Sequence, residues 1–536
     1  MQYNLADLFE SVADAVPDRV ALVCADTRAS YAELDTRANR LAHALAARGI
    51  GPADHVGLQL RNSREYVEGM LACFKLRAVP VNVNFRYVED ELRYLYDDAD
   101  LRALLFHRDF ASRVAAARGA VPKLETLVVV EDGSASGETP PGALGYEKIL
   151  AAASPARDFA PRSPDDLYVI YTGGTTGMPK GVMWRHEDAF YSCLFGGNPM
   201  GPPPSRPEEV AERARARAPL GMMSAAPLIH GAAQLGTLIA FMQGGTAVLH
   251  PRFEPDEIWR VIERERVLTL SLVGDAMARP LAEALHQPGA SYDLSSLLVL
   301  SSAGALLSPA VKDQLRAKLP KLAILDNFGA SETGGQGMDA GGVSPEGGIR
   351  FRMNENTAVL DDELRPIEPG SGRVGRIALR RRIPLGYYKD PEKTARTFVT
   401  VDGERWVLPG DLARPEADGT VTVFGRGATC INSGGEKVFP EEVEGVLKSH
   451  LDVFDAIVVG VPDERFGQRV AALVQPRPGR APGAEALVAH CRAHLAGYKV
   501  PRDVHTVETI VRSPSGKPDY PWARATALER CAATGG

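Results

Sequence analysis

Residues 171–181 read Tyr-Thr-Gly-Gly-Thr-Thr-Gly-Met-Pro-Lys-Gly and directly follow the apolar, β-prone segment 167–170. Glycines let a backbone approach an anion closely, threonine hydroxyls can donate to phosphate oxygens, and a lysine adds a positive charge. The stretch therefore predicts a loop that follows a strand and wraps a polyphosphate. The residues expected to bind the phosphates are Thr172, Gly173, Gly174, Thr175, Thr176, Gly177 and Lys180.

Two other interpretations of this stretch are open from its composition. A Walker loop is disfavoured, because that pattern places Gly-Lys-Ser/Thr at the start of a helix, whereas Pro179 and Gly181 flank the lysine here and would break one. A flexible glycine-rich surface turn is the second alternative, since such patterns often match by chance. The rest of the chain has to decide between a phosphate loop and a surface turn.

Length and composition limit the class of protein. A chain of 536 residues exceeds what one hydrophobic core normally serves, so at least two domains are expected. Its 45% apolar and 24% charged residues are typical of a globular protein. The net charge of −7 argues against a broad nucleic-acid-binding surface, although anionic substrates would still need local basic patches.

Cysteine usage and the N-terminus indicate the compartment. The six cysteines show neither a Cys-x-x-Cys pair nor zinc-ligand spacing, which favours a reducing environment. Asp7 and Glu10 interrupt the apolar core that a signal peptide would need, and there is no apolar run of about 18 residues. A cytoplasmic protein without stable membrane insertion is expected.

The periodicity of apolar residues predicts alternating helices and strands. Helical spacing covers residues 5–16, 31–48 and 64–76, with Ser30 as the N-cap of the second helix, and 20–24 and 55–60 are β-prone. The proline-rich and then Arg/Glu-rich stretch 200–217 predicts a solvated insertion with a short helix. A lid over a substrate pocket is the alternative, because long loops are disproportionately functional.

Further along, segments 267–273 and 296–301 are rich in leucine and β-branched residues and predict buried parallel strands. Ligands of open α/β sheets bind at the carboxyl ends of such strands. The small residues that follow the second strand are therefore expected to line a purine and acyl pocket. They are Ser302, Ala303, Gly304 and Ala305.

Together with these stretches, the loop at 171–181 resembles the signature YTSGTTGxPKG of the adenylate-forming superfamily, which includes acyl-CoA synthetases, luciferases and peptide-synthetase adenylation domains. Gly173 replaces the usual serine. The resemblance extends from about residue 5 to 518, with its motifs in the family's order. It implies that ATP, Mg²⁺ and coenzyme A act together with a carboxylic acid substrate.

The resemblance assigns the nucleotide site. Ser302–Ala305 resembles the family's SGGA, and the segment from Asp326 and Asn327 to Gly334 resembles YGxTE. It implies that Phe328 offers a face to adenine, that Gly329 belongs to the same motif, that Ser331 contacts phosphate, and that Glu332 is the magnesium ligand. Asp411 resembles the ribose-binding aspartate of TGD, with Pro409 in place of threonine, and Arg426 ends the large domain.

Three further elements carry the reaction in the family. Segment 225–231 resembles the motif that borders the carboxylate site, which places His230 near the acyl group. The segment after Cys430 resembles the hinge motif, in which Gly434 and Gly435 contact the pantetheine arm; Thr429 stands where the family usually has a pivoting Asp or Lys. Segment 511–517 resembles the C-terminal loop, which makes Lys517 the adenylation lysine.

The expected fold is α/β. Residues 1–425 are expected to form a large N-terminal domain of parallel and mixed sheets layered with helices, with a β-rich subdomain at about 350–425. Residues 426–430 are the expected hinge and 431–536 a small, mobile α+β domain. The arginines at 373, 376 and 380–382 form a basic strip that is either a solvated face or a contact for coenzyme A phosphates.

These features predict an ATP-dependent acyl-CoA synthetase. No Ser/His/Asp nucleophile set is evident, so the substrate carboxylate is expected to attack ATP directly and form acyl-AMP before the thioester. A bulky apolar acid is favoured as the substrate, because the expected pocket segments are apolar or small with few charges; they are 228–235, 273–276 and 302–304. The stretch 171–190 looks most like actinobacterial enzymes for lipid, steroid or terpenoid acids.

Several alternatives stay open. Thr429 allows an enzyme that adenylates well and thiolates poorly. An amino-acid adenylating domain would want an acid near the pocket to hold the ammonium group, and segment 227–236 supplies none. A luciferase-like oxygenase shares the motifs, so it stays a second alternative. A non-catalytic binding module is the third, and it would not need Glu332, Asp411 and Lys517 together. A homodimer is one expected assembly.

Overall fold

The computed structural model describes residues 1–134, 138–173, 178–199, 201–303, 307, 309–343, 349–426, 431–438, 440–511 and 520–534. Within that part of the chain, no helix has the length and apolar character needed to cross a membrane.

The first part of the chain alternates helices and strands. Its elements are α1 (Leu5–Ala15), β1 (Val20–Cys24), β2 (Thr27–Ser30), α2 (Tyr31–Ala46), β3 (His55–Gln59), α3 (Arg64–Leu76), β4 (Val79–Asn82), α4 (Glu89–Asp98), β5 (Leu101–His107), α5 (Ala111–Arg118), β6 (Thr126–Val130), β7 (Leu144–Gly145) and α6 (Tyr146–Ala151). Strands β4, β3, β5, β6 and β7 form, in that order, a five-stranded parallel sheet.

The helix starts of this part follow from their caps. At α2, Ser30 Oγ accepts from the N–H of Glu33 (3.2 Å), and the Glu33 carboxylate accepts from the N–H of Ser30 (2.8 Å). At α3, Ser63 Oγ accepts from the N–H of Tyr66 (3.2 Å). These side chains satisfy N–H groups that lack a partner within the helix, so both predicted helices begin at the expected residues.

The middle part builds the core of a second, larger sheet. Its elements are β8 (Leu167–Gly173), β9 (Pro179–Arg185), α7 (His186–Ser192), α8 (Glu208–Ala216), β10 (Gly221–Ser224), α9 (Gly231–Met242), β11 (Thr246–Leu249), α10 (Pro255–Arg264), β12 (Val267–Leu272), α11 (Gly274–His286), β13 (Val299–Ala303), α12 (Pro309–Lys318) and β14 (Ala323–Ala330). Strands β1, β11, β10, β12, β13 and β14 lie side by side and are all parallel, which confirms the parallel strands predicted at 267–273 and 296–301.

The insertion at 200–217 contains α8, which packs against α1. Val210 and Ala214 are its buried residues, and Arg19 donates to the Ala214 carbonyl oxygen (2.8 Å). The helix thus covers the N-terminal helix with a narrow apolar stripe, and its remaining residues are largely exposed. This arrangement favours the solvated insertion over the lid.

The β-rich part extends the large sheet with antiparallel strands. Its elements are β15 (Gly334–Val343), β16 (Ile349–Met353), β17 (Thr357–Leu360), β18 (Gly375–Arg380), β19 (Gly386–Tyr387), α13 (Pro391–Thr397), β20 (Phe398–Val401), β21 (Glu404–Val407), β22 (Asp411–Pro415) and β23 (Val421–Arg426). Strand β15 pairs antiparallel with β14 and so joins the two parts. Strand β19 instead pairs with β9, which places Tyr387 beside the β8–β9 hairpin.

The C-terminal part is a small α+β unit with its own sheet. Its elements are β24 (Ile431–Ser433), β25 (Glu436–Val438), α14 (Pro440–Ser449), β26 (Val453–Asp463), β27 (Gly467–Pro476), α15 (Ala484–His494), β28 (Asp503–Thr506) and α16 (Tyr520–Thr534). The described strands have the order β25–β24–β27–β26, with β28 parallel to β27. A separate apolar core, which includes Val443, Val458 and Val474, fills this unit.

The predicted α/β fold, with a β-rich part and a small α+β part at the C-terminus, is confirmed. Strand β23 ends at Arg426 in the large sheet and β24 begins at Ile431 in the small one. Thr429 lies between them, outside the described residues. The hinge at 426–430 therefore stays a prediction.

Candidate active site

The carboxyl ends of β12, β13 and β14 meet at one edge of the large sheet. Ala303 pairs with Asn327 on the neighbouring strand. Ser302 is buried, and its Oγ accepts from the N–H of Gly274, the first residue of α11 (3.1 Å). This edge is where open α/β sheets bind ligands, so the strand ends expected to form the pocket do lie together.

The β8–β9 hairpin carries the glycine-rich loop. Thr172 pairs with Lys180 and Gly173 with Pro179, so the two strands remain in register up to the residues that lead into the loop. Residues 174–177 lie outside the described part. The hairpin thus gives the loop two fixed edges.

Asn82, at the end of β4, fixes the start of this hairpin. Its Oδ1 accepts from the N–H of Tyr171 (2.8 Å), and its Nδ2 donates to the carbonyl oxygens of Tyr171 (2.8 Å) and Ile229 (2.7 Å). The side chain is buried, so these bonds are shielded from water. One amide therefore fixes Tyr171 of β8 relative to Ile229, the residue that precedes His230.

Lys180 extends from β9 toward the C-terminal end of α4. Its Nζ donates to Asp98 Oδ1 (3.3 Å) and lies 3.8 Å from a carboxylate oxygen of Asp390. Burial alone would lower the pKa of Lys180, but its hydrogen bond with Tyr94 and the Asp98 charge outweigh burial and raise that pKa. The ammonium stays charged and tethered; its direct contact with ATP phosphates stays a prediction.

Glu332 is a buried carboxylate beside the hairpin. It is 4% exposed, and its Oε1 accepts from the hydroxyl of Tyr387 on β19 (2.8 Å). It lies in the turn between β14 and β15, where the two strands approach so closely that a Cβ on Gly329 would overlap the carbonyl oxygen of Gly334. Trp184 Nε1 donates to the Ser331 carbonyl oxygen (2.8 Å) and fixes the same turn. The turn therefore holds the Glu332 carboxylate in place.

The predicted purine and ribose residues lie along β14 and β22. The Phe328 ring packs tilted on Phe351, with centroids 5.3 Å apart. Asp326 accepts from Lys312 Nζ (2.5 Å), so its carboxylate is already held by an ammonium group. Asp411 is buried at the start of β22 and pairs in register with Arg426 on β23.

His230 is the N-cap residue of α9, and its side chain contacts the C-terminal unit. Its Nε2 lies 3.0 Å from Glu436 Oε1, and Arg86 forms an ion pair with the same carboxylate. Burial alone would raise the pKa of Glu436, but the charges of His230, Arg86 and Lys499 outweigh burial and lower that pKa to about 2. The carboxylate is therefore ionised at neutral pH.

Gly434 and Gly435 form the turn that precedes Glu436. Both have positive φ, at 63° and 82°, a conformation that favours glycine. A Cβ on Gly435 would overlap the side chain of Val273, which follows β12. Only glycine lets the turn approach the strand-end edge this closely.

Comparison with known proteins shows the family to which the chain belongs. The AMP-binding enzyme family matches residues 9–388, and the AMP-binding enzyme C-terminal domain matches residues 442–517. The chain belongs to the AMP-binding enzyme family.

Individual relatives cover nearly the whole chain. A medium/long-chain-fatty-acid–CoA/3-oxocholest-4-en-26-oate–CoA ligase from Mycobacterium tuberculosis (strain CDC 1551) is 51% identical over 97% of this chain and 95% of its own length. A 3-oxocholest-4-en-26-oate–CoA ligase from Rhodococcus rhodochrous is 49% identical, with coverage of 98% and 96%. The structure of an amide bond synthetase from Marinactinospora thermotolerans aligns with a TM-score of 0.79 at 28% identity, with coverage of 98% and 99%.

As a member of the AMP-binding enzyme family with these relatives, the chain is an acid–thiol ligase. It uses ATP to form an acyl-adenylate and then transfers the acyl group to coenzyme A. The predicted superfamily and reaction are confirmed.

Several predicted site residues lie outside the part that the structure describes. They are Gly174, Thr175, Thr176, Gly177, Gly304, Ala305 and Lys517, together with the side chain of Arg426. The roles expected of them stay predictions.

The arginine strip is paired with carboxylates. Arg380 contacts Glu404 (2.7 Å) and Arg382 contacts Glu187 (3.2 Å). Arg373, Arg376 and Arg381 also lie within 4.0 Å of acidic side chains. This pairing is typical of a solvated charged face and favours that interpretation over a coenzyme A contact.

Four residues near the site were missed from the sequence: Asn82, Arg86, Tyr387 and Glu436. Asn82 could have been noticed as a polar residue at the end of an apolar strand. Glu436 directly follows the glycine pair and could have been considered with it. Arg86 and Tyr387 carry no local signal, because their partners lie far away in the chain.

Proposed function

We propose that the acid activated by this ligase is bulky and largely apolar, either a medium- or long-chain fatty acid or a polycyclic acid of the steroid side-chain type. The substrates named for the relatives at about half identity support this class. The segments expected to line the acyl pocket are consistent with this class, because Leu228 and Val273 are apolar. Gln234 Nε2 donates to the Leu228 carbonyl oxygen (2.7 Å), and its Oε1 accepts from the Tyr168 hydroxyl (2.6 Å). Its polar atoms are thus engaged within the fold.

The test is ATP–pyrophosphate exchange with a panel of acids. Acetate, octanoate, palmitate, benzoate and 3-oxocholest-4-en-26-oate span size and polarity. The proposal predicts that the highest kcat/KM belongs to one of the larger apolar acids, since each buried methylene contributes about 0.8 kcal/mol. A higher kcat/KM for acetate than for every larger acid would contradict it.

In the adenylation step, Lys517 is proposed to stabilise charge on the α-phosphate as the acid attacks. Lys517→Ala should lower adenylation by at least about a hundredfold, the scale for removing one preorganised electrostatic stabiliser. Thioester formation from presynthesised acyl-AMP should be retained in this variant. Unchanged pyrophosphate release would contradict the role.

Mg²⁺ is proposed to bind at Glu332. A buried carboxylate oriented by the Tyr387 hydroxyl suits a hard cation that takes one or two protein oxygens and completes its shell with water and phosphate. When bound, the ion would neutralise charge on the phosphates. Thr172 and Ser331 are proposed to donate to those phosphates, and Asp411 to accept from the ribose hydroxyls.

The C-terminal unit is proposed to occupy two orientations about a hinge at 426–430. The described orientation presents the turn Gly434–Gly435 to the strand-end edge through the contact of Glu436 with His230. Thioester formation requires the pantetheine arm at that turn, whereas adenylation requires Lys517 at the α-phosphate. One rigid placement is not expected to serve both steps.

The described orientation is held by complementary charges on α4 and the C-terminal unit. Lys499 Nζ lies 2.8 Å from Glu91 Oε1, and both side chains are 4% exposed. His494 pairs with Asp90 (2.9 Å). Ala496 belongs to the apolar core that α4 shares with the five-stranded parallel sheet. We call these pairs the α4 latch, and propose that it stabilises the thioester-forming orientation.

A homodimer and a cytoplasmic location are part of the same proposal. A homodimer predicts about twice the monomer mass in light scattering, independent of added substrate. ATP and coenzyme A are both cytoplasmic substrates, and fractionation of cells that express the protein would test the location.

A further inference from the structure

Both strands of the β8–β9 hairpin are bonded to one carboxylate on α4. Asp98 Oδ2 accepts from the hydroxyl of Tyr171 on β8 (3.0 Å), and Asp98 Oδ1 accepts from Lys180 Nζ on β9 (3.3 Å). Tyr171 pairs in register with Gly181, the neighbour of Lys180. The carboxylate therefore bridges adjacent positions on the two strands from which the loop extends.

A second side chain of α4 completes the attachment. The Tyr94 hydroxyl lies 3.1 Å from Asp98 Oδ1 and 3.2 Å from the Pro179 carbonyl oxygen. The Tyr94 ring also lies 5.5 Å from Lys180 Nζ. We call Tyr94, Asp98, Tyr171 and Lys180 the Asp98 clamp.

The clamp is shielded from water. The Asp98 side chain is 11% exposed and that of Lys180 16%, while Tyr171 is buried. Hydrogen bonds to charged groups in such surroundings are stronger than neutral ones. The hairpin edges are thus held to α4 by bonds that resist displacement.

The charge of Lys180 is already balanced within the clamp. Asp98 lies on one side of the ammonium, and Asp390 contributes a second carboxylate oxygen at 3.8 Å. An ammonium with two carboxylates nearby adds little net positive charge at the phosphates. Its stronger effect is to hold β9 against α4.

We propose that Asp98 is a positioning residue for ATP, because it fixes the two strands that present the loop. Lys180 then affects phosphate binding through its bond to Asp98, and not through a separate contact with the phosphates. The proposal rests on the phosphate-binding role of residues 171–181 and holds for any acid substrate. When the two strands that flank the loop are held in place before ATP arrives, less conformational entropy is lost on binding, so the clamp lowers the KM for ATP.

The test uses single and double variants of the full-length enzyme. Asp98→Asn removes the negative charge of the clamp carboxylate, and Lys180→Met removes the ammonium group. Tyr171→Phe removes one hydroxyl with little change of shape. Asp97→Asn removes the same charge from the neighbouring residue, whose side chain is exposed. Thr175→Ala tests the loop itself. The KM values for ATP and for the acid are measured by pyrophosphate exchange, and thioester formation is started from presynthesised acyl-AMP.

Asp98→Asn is expected to raise the KM for ATP at least about tenfold, the scale for losing hydrogen bonds to a charged group. Tyr171→Phe should raise it about threefold, by losing one such bond. The KM for the acid and the rate from acyl-AMP should stay within about twofold, and Asp97→Asn should match the wild type. Because Lys180 acts through Asp98, the double variant should be no worse than the more severe single variant.

Three results would overturn the proposal. If Thr175→Ala raises the KM for ATP but Asp98→Asn and Tyr171→Phe do not, the loop binds ATP without the clamp. If the effects of Asp98→Asn and Lys180→Met multiply, Lys180 contacts the phosphates independently. If Thr175→Ala and a Thr176→Ala companion leave the KM for ATP unchanged, the loop's assigned role fails, and the clamp proposal fails with it.

Discussion

His230 Nε2 and Glu436 Oε1 lie 3.0 Å apart and join the start of α9 to the first strand residue after the glycine turn of the C-terminal unit. Arg86 pairs with the same carboxylate. The contact brings the proposed acyl-side histidine and the proposed pantetheine turn into one site. If these residues have the proposed roles, the contact links the position of the C-terminal unit to the thioester step.

The first prediction concerns this contact. Glu436→Gln should slow thioester formation from presynthesised acyl-AMP about tenfold, because His230 and Arg86 lose a charged partner, while pyrophosphate exchange stays near wild type. The pKa of Glu436 is lowered from 4.5 to about 2, so the contribution of its carboxylate charge is complete above pH 4.5 and is lost as pH falls toward 2. Glu464→Gln, an exposed carboxylate in the same unit, is the control. Equal slowing of both half-reactions would contradict the assignment.

The second prediction concerns the α4 latch. Lys499→Met leaves Glu91 without its buried partner, so the described orientation should lose stability and acyl-AMP should accumulate during turnover. We expect at least a tenfold lower rate of the thioester step, with adenylation retained.

Restoration of the latch provides the control. Exchanging the two charges, Glu91→Lys with Lys499→Glu, should recover part of the rate, whereas either exchange alone should not. If Lys499→Met slows adenylation instead, the latch stabilises the other orientation.

The third prediction concerns the metal. Glu332→Gln keeps the size of the side chain but removes its charge, so the Mg²⁺ concentration needed for half-maximal adenylation should rise about tenfold or more. Tyr387→Phe removes only the hydroxyl that orients the carboxylate and should give a smaller shift in the same direction. An unchanged Mg²⁺ requirement in Glu332→Gln would place the ion elsewhere.

The fourth prediction concerns stability and pH. His186 is fully buried, its Nδ1 accepts from the N–H of Leu5 (3.2 Å), and burial lowers its pKa from 6.5 to about 4. Below pH 6.5 the unfolded chain binds a proton that the folded chain refuses, so the free energy of unfolding should fall by roughly 3 kcal/mol between pH 6.5 and 4 from this residue.

Urea unfolding across that range measures the effect. His186→Gln should show a shallower loss of stability on acidification than the wild type, whatever its stability at neutral pH. His286→Gln, an exposed histidine, should keep the wild-type slope. Equal slopes in all three proteins would mean that His186 is protonated in the folded state.

Local features of the chain were predictable, and long-range contacts were not. The first residues of α2 and α3 follow from the N-caps Ser30 and Ser63, because an N-cap is a contact between neighbours in sequence. The attachment of Lys180 to Asp98 depends on where α4 packs, and apolar periodicity does not specify that position. The same holds for Glu91 with Lys499, whose pairing requires one particular placement of two separately folded units.

The most direct test of the whole account follows both products in one reaction. The enzyme is incubated with ATP, Mg²⁺ and its best acid, with and without coenzyme A, and acyl-AMP and acyl-CoA are quantified by mass spectrometry. The account predicts enzyme-bound acyl-AMP without coenzyme A and its conversion to acyl-CoA, with release of AMP, when coenzyme A is present. Acyl-AMP that accumulates with no thioester at saturating coenzyme A would contradict it.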